Sequence, residues 1–108
     1  MERFVKGEIV ITNFPFSDLT SMIKRPALVI ADFKGDDILL CQITTKERQD
    51  PYYISLNAKD LDSGSLKIKS FIRPSRLFTL RKSLILYKIA RLNKNKIIEV
   101  EDKLIEII

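Results

Sequence analysis

The sequence has 108 residues, 45% of them hydrophobic, and predicts one domain, residues 1–108, with a single modest core. It has no histidine and one cysteine, which excludes histidine-based metal sites, Ser-His-Asp or Cys-His catalysis and an internal disulfide. We therefore expect neither metal nor cofactor. No apolar run approaches the ~20 residues of a membrane span, no signal-peptide core follows the start, and a reducing cytoplasm is expected.

The net charge of +5 is unevenly spread along the chain. From Ser63 to Ile98 there is no acidic residue. Such a stretch is costly to pack without an anionic partner, and nucleic acid is the first candidate. The alternative is a set of solvated strand and helix faces. The basic residues of this stretch are Lys67, Lys69, Arg73, Arg76, Arg81, Lys82, Lys88, Arg91, Lys94 and Lys96.

Short β-branched and apolar runs separated by turn formers predict six strands. Cys41, inside the third run, is expected to be a small buried hydrophobe. Proline in the fifth run indicates an edge or a bulge. The predicted strands are 7–14, 24–30, 37–45, 51–56, 70–77 and 83–92, with one helical turn at 57–61, a turn at 62–65 and a loop at 79–82.

The end of the chain predicts the only convincing helix. Ile97, Val100, Leu104 and Ile108 recur at intervals of three and four residues, and Asn93 is a suitable N-cap. Several short strands followed by one helix predict a mainly β, α+β fold: a small, strongly bent antiparallel sheet or barrel that the helix seals.

The second and third runs are separated by a glycine-containing turn at 33–36, which indicates a hairpin. An antiparallel hairpin would bring Arg25 close to Thr44 and Thr45. A guanidinium beside a hydroxyl can hold a phosphate. The alternatives are a surface arginine at a strand start and ordinary β-branched strand residues.

Three further basic residues, Lys24, Lys46 and Arg73, are candidate phosphate anchors or plainly solvated side chains. The aromatic residues Phe14 and Phe16 flank a proline and are either core residues or platforms for base stacking. For Phe14 the core interpretation is favoured, and for Phe16 the two are balanced.

The order of these motifs resembles that of the PemK/MazF-like toxins of bacterial and archaeal toxin–antitoxin systems over nearly the whole chain. The resemblance implies an SH3-like barrel with a C-terminal helix, acting as a homodimer. It implies a metal-independent, sequence-specific endoribonuclease that cuts single-stranded mRNA, and an acidic antitoxin that occupies the RNA groove. The motifs are Lys6–Val10, Phe14–Asp18, Lys24–Ile30, Gln42–Thr45, Ser70–Arg73, Leu77–Leu80 and Lys88–Leu92.

Matched to the family's motifs, the catalytic arginine falls on Arg25 and the catalytic threonine on Thr44. Many relatives carry a glutamate in the loop before the arginine, whereas this loop has only Asp18. The RNA-binding residues expected beside the catalytic pair are Phe16, Ser17, Lys24, Thr45, Lys46 and Arg73.

Without histidine, cleavage would rely on the RNA's own 2′-hydroxyl, leaving a 2′,3′-cyclic phosphate and a 5′-hydroxyl. Arg25 would neutralise the phosphate and Thr44 would orient an oxygen or relay a proton. Two alternatives differ in class: a similar-fold toxin acting on a protein such as DNA gyrase, and a non-catalytic nucleic-acid-binding barrel. The Arg25–Thr44 pair favours the ribonuclease, because a poison of proteins needs no phosphate site.

Overall fold

The structure, a computed structural model, describes residues 3–15, 22–47 and 49–108. Within these ranges the chain forms seven strands, two short 3₁₀ turns and one α-helix. The strands are β1 (Glu8–Pro15), β2 (Met22–Asp32), β3 (Asp37–Thr44), β4 (Ile54–Leu56), β5 (Leu61–Gly64), β6 (Ser70–Arg81) and β7 (Ile85–Leu92); the 3₁₀ turns are Ala58–Asp60 and Lys82–Leu84, and the helix is α1 (Lys94–Ile107).

The described strands form one antiparallel sheet in the order β4-β6-β3-β2-β1-β7-β5. The sheet curls into a half-barrel, and α1 closes one side of it. The predicted fold class, a bent antiparallel sheet with a C-terminal helix, is therefore confirmed. No helix in these ranges is long and apolar enough to cross a membrane.

Alternation along β3 explains how a single sheet buries both of its faces. Ile38 and Leu40 belong to one buried cluster, whereas Cys41 and Ile43 point the other way into a second cluster that includes Val100 of α1. Burial raises the pKa of the Cys41 thiol to about 12. The thiol is therefore protonated at neutral pH, as expected for a buried structural cysteine.

The helix begins as predicted, with the Asn93 side chain accepting a hydrogen bond from the backbone N–H of Lys96 at 2.9 Å. The buried Lys96 ammonium lies 3.6 Å from a carboxylate oxygen of Asp60 and donates to the carbonyl of Ser55 at 3.1 Å. These contacts fasten the first turn of α1 to the sheet. The predicted apolar stripe, which Ile98 and Ile105 were expected to widen, is wrong in three members, because Ile98, Ile105 and Ile108 are exposed.

The bulge predicted from Pro74 is confirmed in β6. The pairing of β3 with β6 jumps from Cys41 opposite Leu77 to Gln42 opposite Arg73, which leaves three residues of β6 outside the ladder. Because Pro74 lies among these three, it is not required to donate a ladder hydrogen bond.

Several predicted boundaries are wrong. The sixth predicted strand, 83–92, begins only at Ile85, because Lys82–Leu84 forms a 3₁₀ turn. The predicted turn at 62–65 belongs largely to β5, where Gly64 at φ +81° lies so close to the β7 backbone that no side chain fits. The predicted loop at 79–82 continues β6, because Arg81 pairs with Asp37. The fourth strand begins only at Ile54, since residues 51–52 form a turn.

Candidate functional site

A groove of about 690 Å³ opens where the start of β2, the end of β3 and the bulge of β6 meet. Of the described residues that line it, none is acidic. Five are basic: Lys24, Arg25, Lys46, Arg73 and Arg76. Positive charge without a compensating carboxylate on the lining favours an anionic ligand.

The hairpin of β2 and β3 brings the predicted pair together. Ala27 lies opposite Gln42 in the ladder, and continuing that register by two residues places Arg25 opposite Thr44. Both residues line the groove. The backbone of Arg25 is also fixed from the other side, because Thr12 Oγ1 donates a hydrogen bond to its carbonyl at 3.2 Å.

The hydroxyl of Thr44 is oriented by the turn that follows β3. The backbone N–H of Lys46 donates to Thr44 Oγ1 at 3.1 Å. This bond occupies one lone pair of the oxygen, and the hydroxyl proton can still be donated to a ligand. Thr45 and Lys46 are exposed and line the same end of the groove.

Arg73 is held by the protein more firmly than a solvated phosphate anchor would be. Its Nη1 donates to Gln42 Oε1 at 3.3 Å, and its Nη2 lies 3.8 Å from Asp50 Oδ2. The guanidinium carbon lies 5.1 Å from the ring centroid of Tyr53, within cation–π range. Because the side chain is only 13% exposed, its orientation in the groove is preorganised.

Asp50 joins the loop after β3 to the bulge of β6. Besides facing Arg73, its carboxylate accepts from the backbone N–H of Tyr52 at 2.9 Å and from Ser75 Oγ at 3.4 Å. Asp50 is not among the predicted site residues, and Gln42 is named in the sequence only as the start of the motif Gln42–Thr45. No local sequence pattern connects either of them to an arginine more than twenty residues away, and only the fold reveals the contact.

Two aromatic rings lie against the groove. Phe14 and Phe78 pack edge to face with centroids 5.2 Å apart, and both are half-buried lining residues. The core position favoured for Phe14 is therefore wrong, because its ring borders the groove. The predicted contacts of Phe16 and Ser17, and the loop carboxylate of Asp18, lie outside the described residues.

The acid-free stretch is neutralised in space by acids from elsewhere in the chain. Of its ten basic residues, Arg73 and Arg76 line the groove, and at least four lie within 4 Å of a carboxylate. The expectation that this stretch needs an anionic partner therefore applies to only part of it, because four of its basic side chains meet acids of the same chain. The ion pairs are Arg73–Asp50, Lys82–Asp32, Lys88–Glu8 and Lys96–Asp60.

No cluster of three or more potential metal ligands of the His, Cys, Asp or Glu type is found in residues 3–15, 22–47 and 49–108. The chemistry available to the described groove is therefore that of guanidinium, ammonium, hydroxyl and amide groups. These groups bind phosphate oxygens and base edges well.

A family model described as the PemK-like, MazF-like toxin of type II toxin–antitoxin systems matches residues 5–108. A search of curated proteins found no match. Among solved structures, MazE-MazF (Form-III) from Deinococcus radiodurans has a TM-score of 0.76 at 20% identity and covers 94% of this chain and 92% of its own.

An endoribonuclease from Mycobacterial species has a TM-score of 0.76 at 13% identity, covering 98% of this chain and 91% of its own. An endoribonuclease in complex with its cognate antitoxin, also from Mycobacterial species, has a TM-score of 0.74 at 12% identity, covering 96% and 93%. At these identities the likeness concerns the fold.

Proposed function

Since this chain belongs to the PemK-like, MazF-like toxins of type II toxin–antitoxin systems, we propose that it is a metal-independent endoribonuclease that cuts single-stranded mRNA at specific sequences. The observation that carries the proposal is that Arg25 and Thr44 line one groove whose described lining is basic and free of acids. RNA supplies both the charge that this groove attracts and the phosphate that the pair would act on.

Cleavage proceeds by attack of the 2′-hydroxyl oxygen on the adjacent phosphorus and rupture of the bond from phosphorus to the 5′-oxygen. The 2′-hydroxyl loses its proton and the departing 5′-oxygen gains one, so the products end in a 2′,3′-cyclic phosphate and a 5′-hydroxyl. Arg25 stabilises the charge on the non-bridging oxygens with paired donors. Thr44 donates its hydroxyl proton to a phosphate oxygen, while the N–H of Lys46 keeps the hydroxyl in place.

Arginine is protonated at neutral pH and threonine is a very weak acid, so neither is an effective general base. Catalysis therefore relies mainly on positioning the phosphate and stabilising the negative charge that develops on its oxygens. Lys24, Thr45, Lys46 and Arg73 hold the flanking phosphates, with Phe16 and Ser17 contributing from the loop before β2.

The proposed partners are a second copy of the chain and an acidic antitoxin. One face of α1 and its end carry exposed isoleucines, Ile98, Ile105 and Ile108, which a homodimer would cover. An acidic antitoxin segment would occupy the basic groove and compete with RNA. The protein would meet both its RNA substrate and its antitoxin in the cytoplasm.

The basic groove also suits a non-catalytic RNA-binding barrel, and only a cleavage assay separates the two. We expect the purified protein to cut a mixed-sequence RNA in excess chelator. End analysis should find cyclic phosphates and 5′-hydroxyls. RNA that is bound but intact would favour the non-catalytic barrel. RNA that is neither bound nor cut, with inhibition of DNA gyrase, would favour the toxin that acts on a protein.

A further inference from the structure

The contact between Arg73 and Gln42 fixes which end of the Gln42 amide faces the groove. An arginine side chain has five N–H donors and no acceptor. The group that faces Arg73 Nη1 at 3.3 Å must therefore be the carbonyl oxygen of Gln42. The carbonyl oxygen is the one group of this amide that can accept a hydrogen bond from a guanidinium.

Arg73 cannot turn away easily, so the amide is held in one orientation. Asp50 faces its Nη2, the Tyr53 ring lies along its guanidinium, and the side chain is mostly buried. Within the described part of the chain, the amide nitrogen of Gln42 donates to no protein acceptor. Gln42 therefore presents a pair of N–H donors to the groove, while its carbonyl oxygen is turned towards Arg73, which occupies one of its two lone pairs.

The position of Gln42 places these donors next to the proposed chemistry. Gln42 and Thr44 are two residues apart on β3, which puts them on one face of the strand about 7 Å apart. A nucleotide that flanks the phosphate held at Thr44 therefore has its base within reach of the Gln42 amide.

We propose that Gln42 is a specificity-determining residue that selects a keto base, uracil or guanine, beside the cleaved phosphate, and that Arg73 and Asp50 are positioning residues for its amide. The exocyclic oxygens O4 of uracil and O6 of guanine accept hydrogen bonds, whereas cytosine and adenine present amino groups at the equivalent position. An amide whose oxygen is turned towards Arg73 directs its N–H groups at the base. These N–H groups bond the exocyclic oxygen of uracil or guanine, whereas they meet the amino group of cytosine or adenine donor to donor. The proposal rests on the proposed ribonuclease function and deepens it.

The test uses one random-sequence RNA pool, from which bound RNA and cleavage ends are sequenced separately. Wild type should prefer uracil or guanine at one position adjacent to the cut by about tenfold, the scale of one good base contact. Gln42→Glu keeps the size and turns the group into an acceptor, so it should reverse the preference toward cytosine or adenine. Gln42→Leu should abolish the preference.

Two further variants test whether Arg73 positions the Gln42 amide and whether a new negative charge alone alters the base preference. Arg73→Met frees the amide to rotate, so Gln42 should accept both base classes even though overall binding falls. Asn95→Asp makes the same amide-to-carboxylate change on the exposed surface of α1 and should keep the wild-type preference. Circular dichroism of each variant verifies folding, and the readout is a ratio between bases in one sample.

The possible outcomes distinguish a failure of the role proposed for Gln42 from a failure of the proposed ribonuclease function. Unchanged base preferences in Gln42→Glu and Gln42→Leu, with RNA still cut, would overturn the role of Gln42 and leave the ribonuclease standing. A reversed preference in the bound pool without any cutting by wild type would support Gln42 and contradict the ribonuclease. A Gln42→Glu reversal together with an unaltered preference in Arg73→Met would overturn the positioning role of Arg73.

Discussion

The two sides of the groove are built in different ways. On one side, Arg25 and Thr44 are brought together by a hairpin whose turn lies between them in the sequence. On the other side, Gln42, Asp50 and Arg73 come from β3, a loop and the bulge of β6. The first side is local, and its proposed catalytic pair lines the groove, whereas the second is non-local and is held by contacts among its own side chains.

This difference separates two tasks that one groove must perform. A group that stabilises charge in the transition state must meet the phosphate directly, so its removal costs rate. A group that orients another side chain changes what is selected, with a smaller effect on rate. Mutations on the two sides should therefore differ in kind as well as in size.

The largest effect is expected at Arg25. Arg25→Ala should slow single-turnover cleavage by about 10²–10³-fold, the scale seen on removal of one transition-state donor. Arg25→Lys should recover little, because a point charge does not reproduce the paired donors of a guanidinium. Arg91→Ala, an exposed arginine of β7 outside the groove lining, is the matched control and should cut normally. Normal cutting by Arg25→Ala would move the active site elsewhere.

The next largest effect should come from salt. For single-stranded RNA, the logarithm of the affinity falls with the logarithm of the salt concentration by about 0.7 per phosphate contact. If the five basic residues of the groove each meet a phosphate, the affinity should fall roughly 10²-fold between 50 and 200 mM salt. Lys46→Ala should make the slope shallower by about 0.7, and Lys94→Ala on the helix should leave it unchanged. Fluorescence anisotropy with a labelled oligonucleotide measures both, and a salt-independent affinity would contradict the electrostatic argument.

A smaller effect is expected at Thr44. Thr44→Val keeps the shape and removes the hydroxyl, which should slow cleavage by about 10- to 100-fold, the cost of one hydrogen bond to a charged group. Thr44→Ser retains the hydroxyl and should retain most of the activity. If Thr44→Val cuts like wild type while Arg25→Ala is inactive, Thr44 is structural and the site has one catalytic residue instead of two.

The comparison also explains what the sequence could predict. The antiparallel hairpin, the buried Cys41, the Pro74 bulge and the Asn93 cap follow from patterns within a few residues, and each is confirmed. The placement of Arg25 near Thr44 can also be predicted, because it depends only on the register of the β2–β3 hairpin.

What the sequence could not predict depends on contacts between distant segments. The run of basic residues from 63 to 98 carries no acid of its own, yet Asp32 and Glu8 neutralise two of its lysines through the fold. The sequence predicts a turn where β5 forms, because the partner strand β7 lies some thirty residues further along the chain. The Gln42–Arg73 bond was missed for the same reason.

The smallest expected effect tests whether the non-local side is a positioning device. Asp50→Asn removes the charge that faces Arg73, while the amide oxygen can still accept from the N–H of Tyr52. We expect the free energy of unfolding to fall by about 1 kcal/mol, because the ion pair is long at 3.8 Å and asparagine keeps a hydrogen-bonding group at this position. Cleavage of the preferred sequence should fall only severalfold, and discrimination between keto and amino bases should weaken.

Glu47→Gln is the matched control for this change, since it removes the same charge from an exposed position in the same loop. Its stability and its base discrimination should equal those of wild type. Urea denaturation and the sequenced cleavage ends measure the two quantities on the same preparations. If the two variants weaken discrimination equally, the loop charge itself is responsible, because Asp50 is the one of these two acids placed within 4 Å of Arg73. If Asp50→Asn leaves discrimination intact, the Tyr53 ring and Gln42 hold Arg73 without the carboxylate, and the positioning group is smaller by one residue.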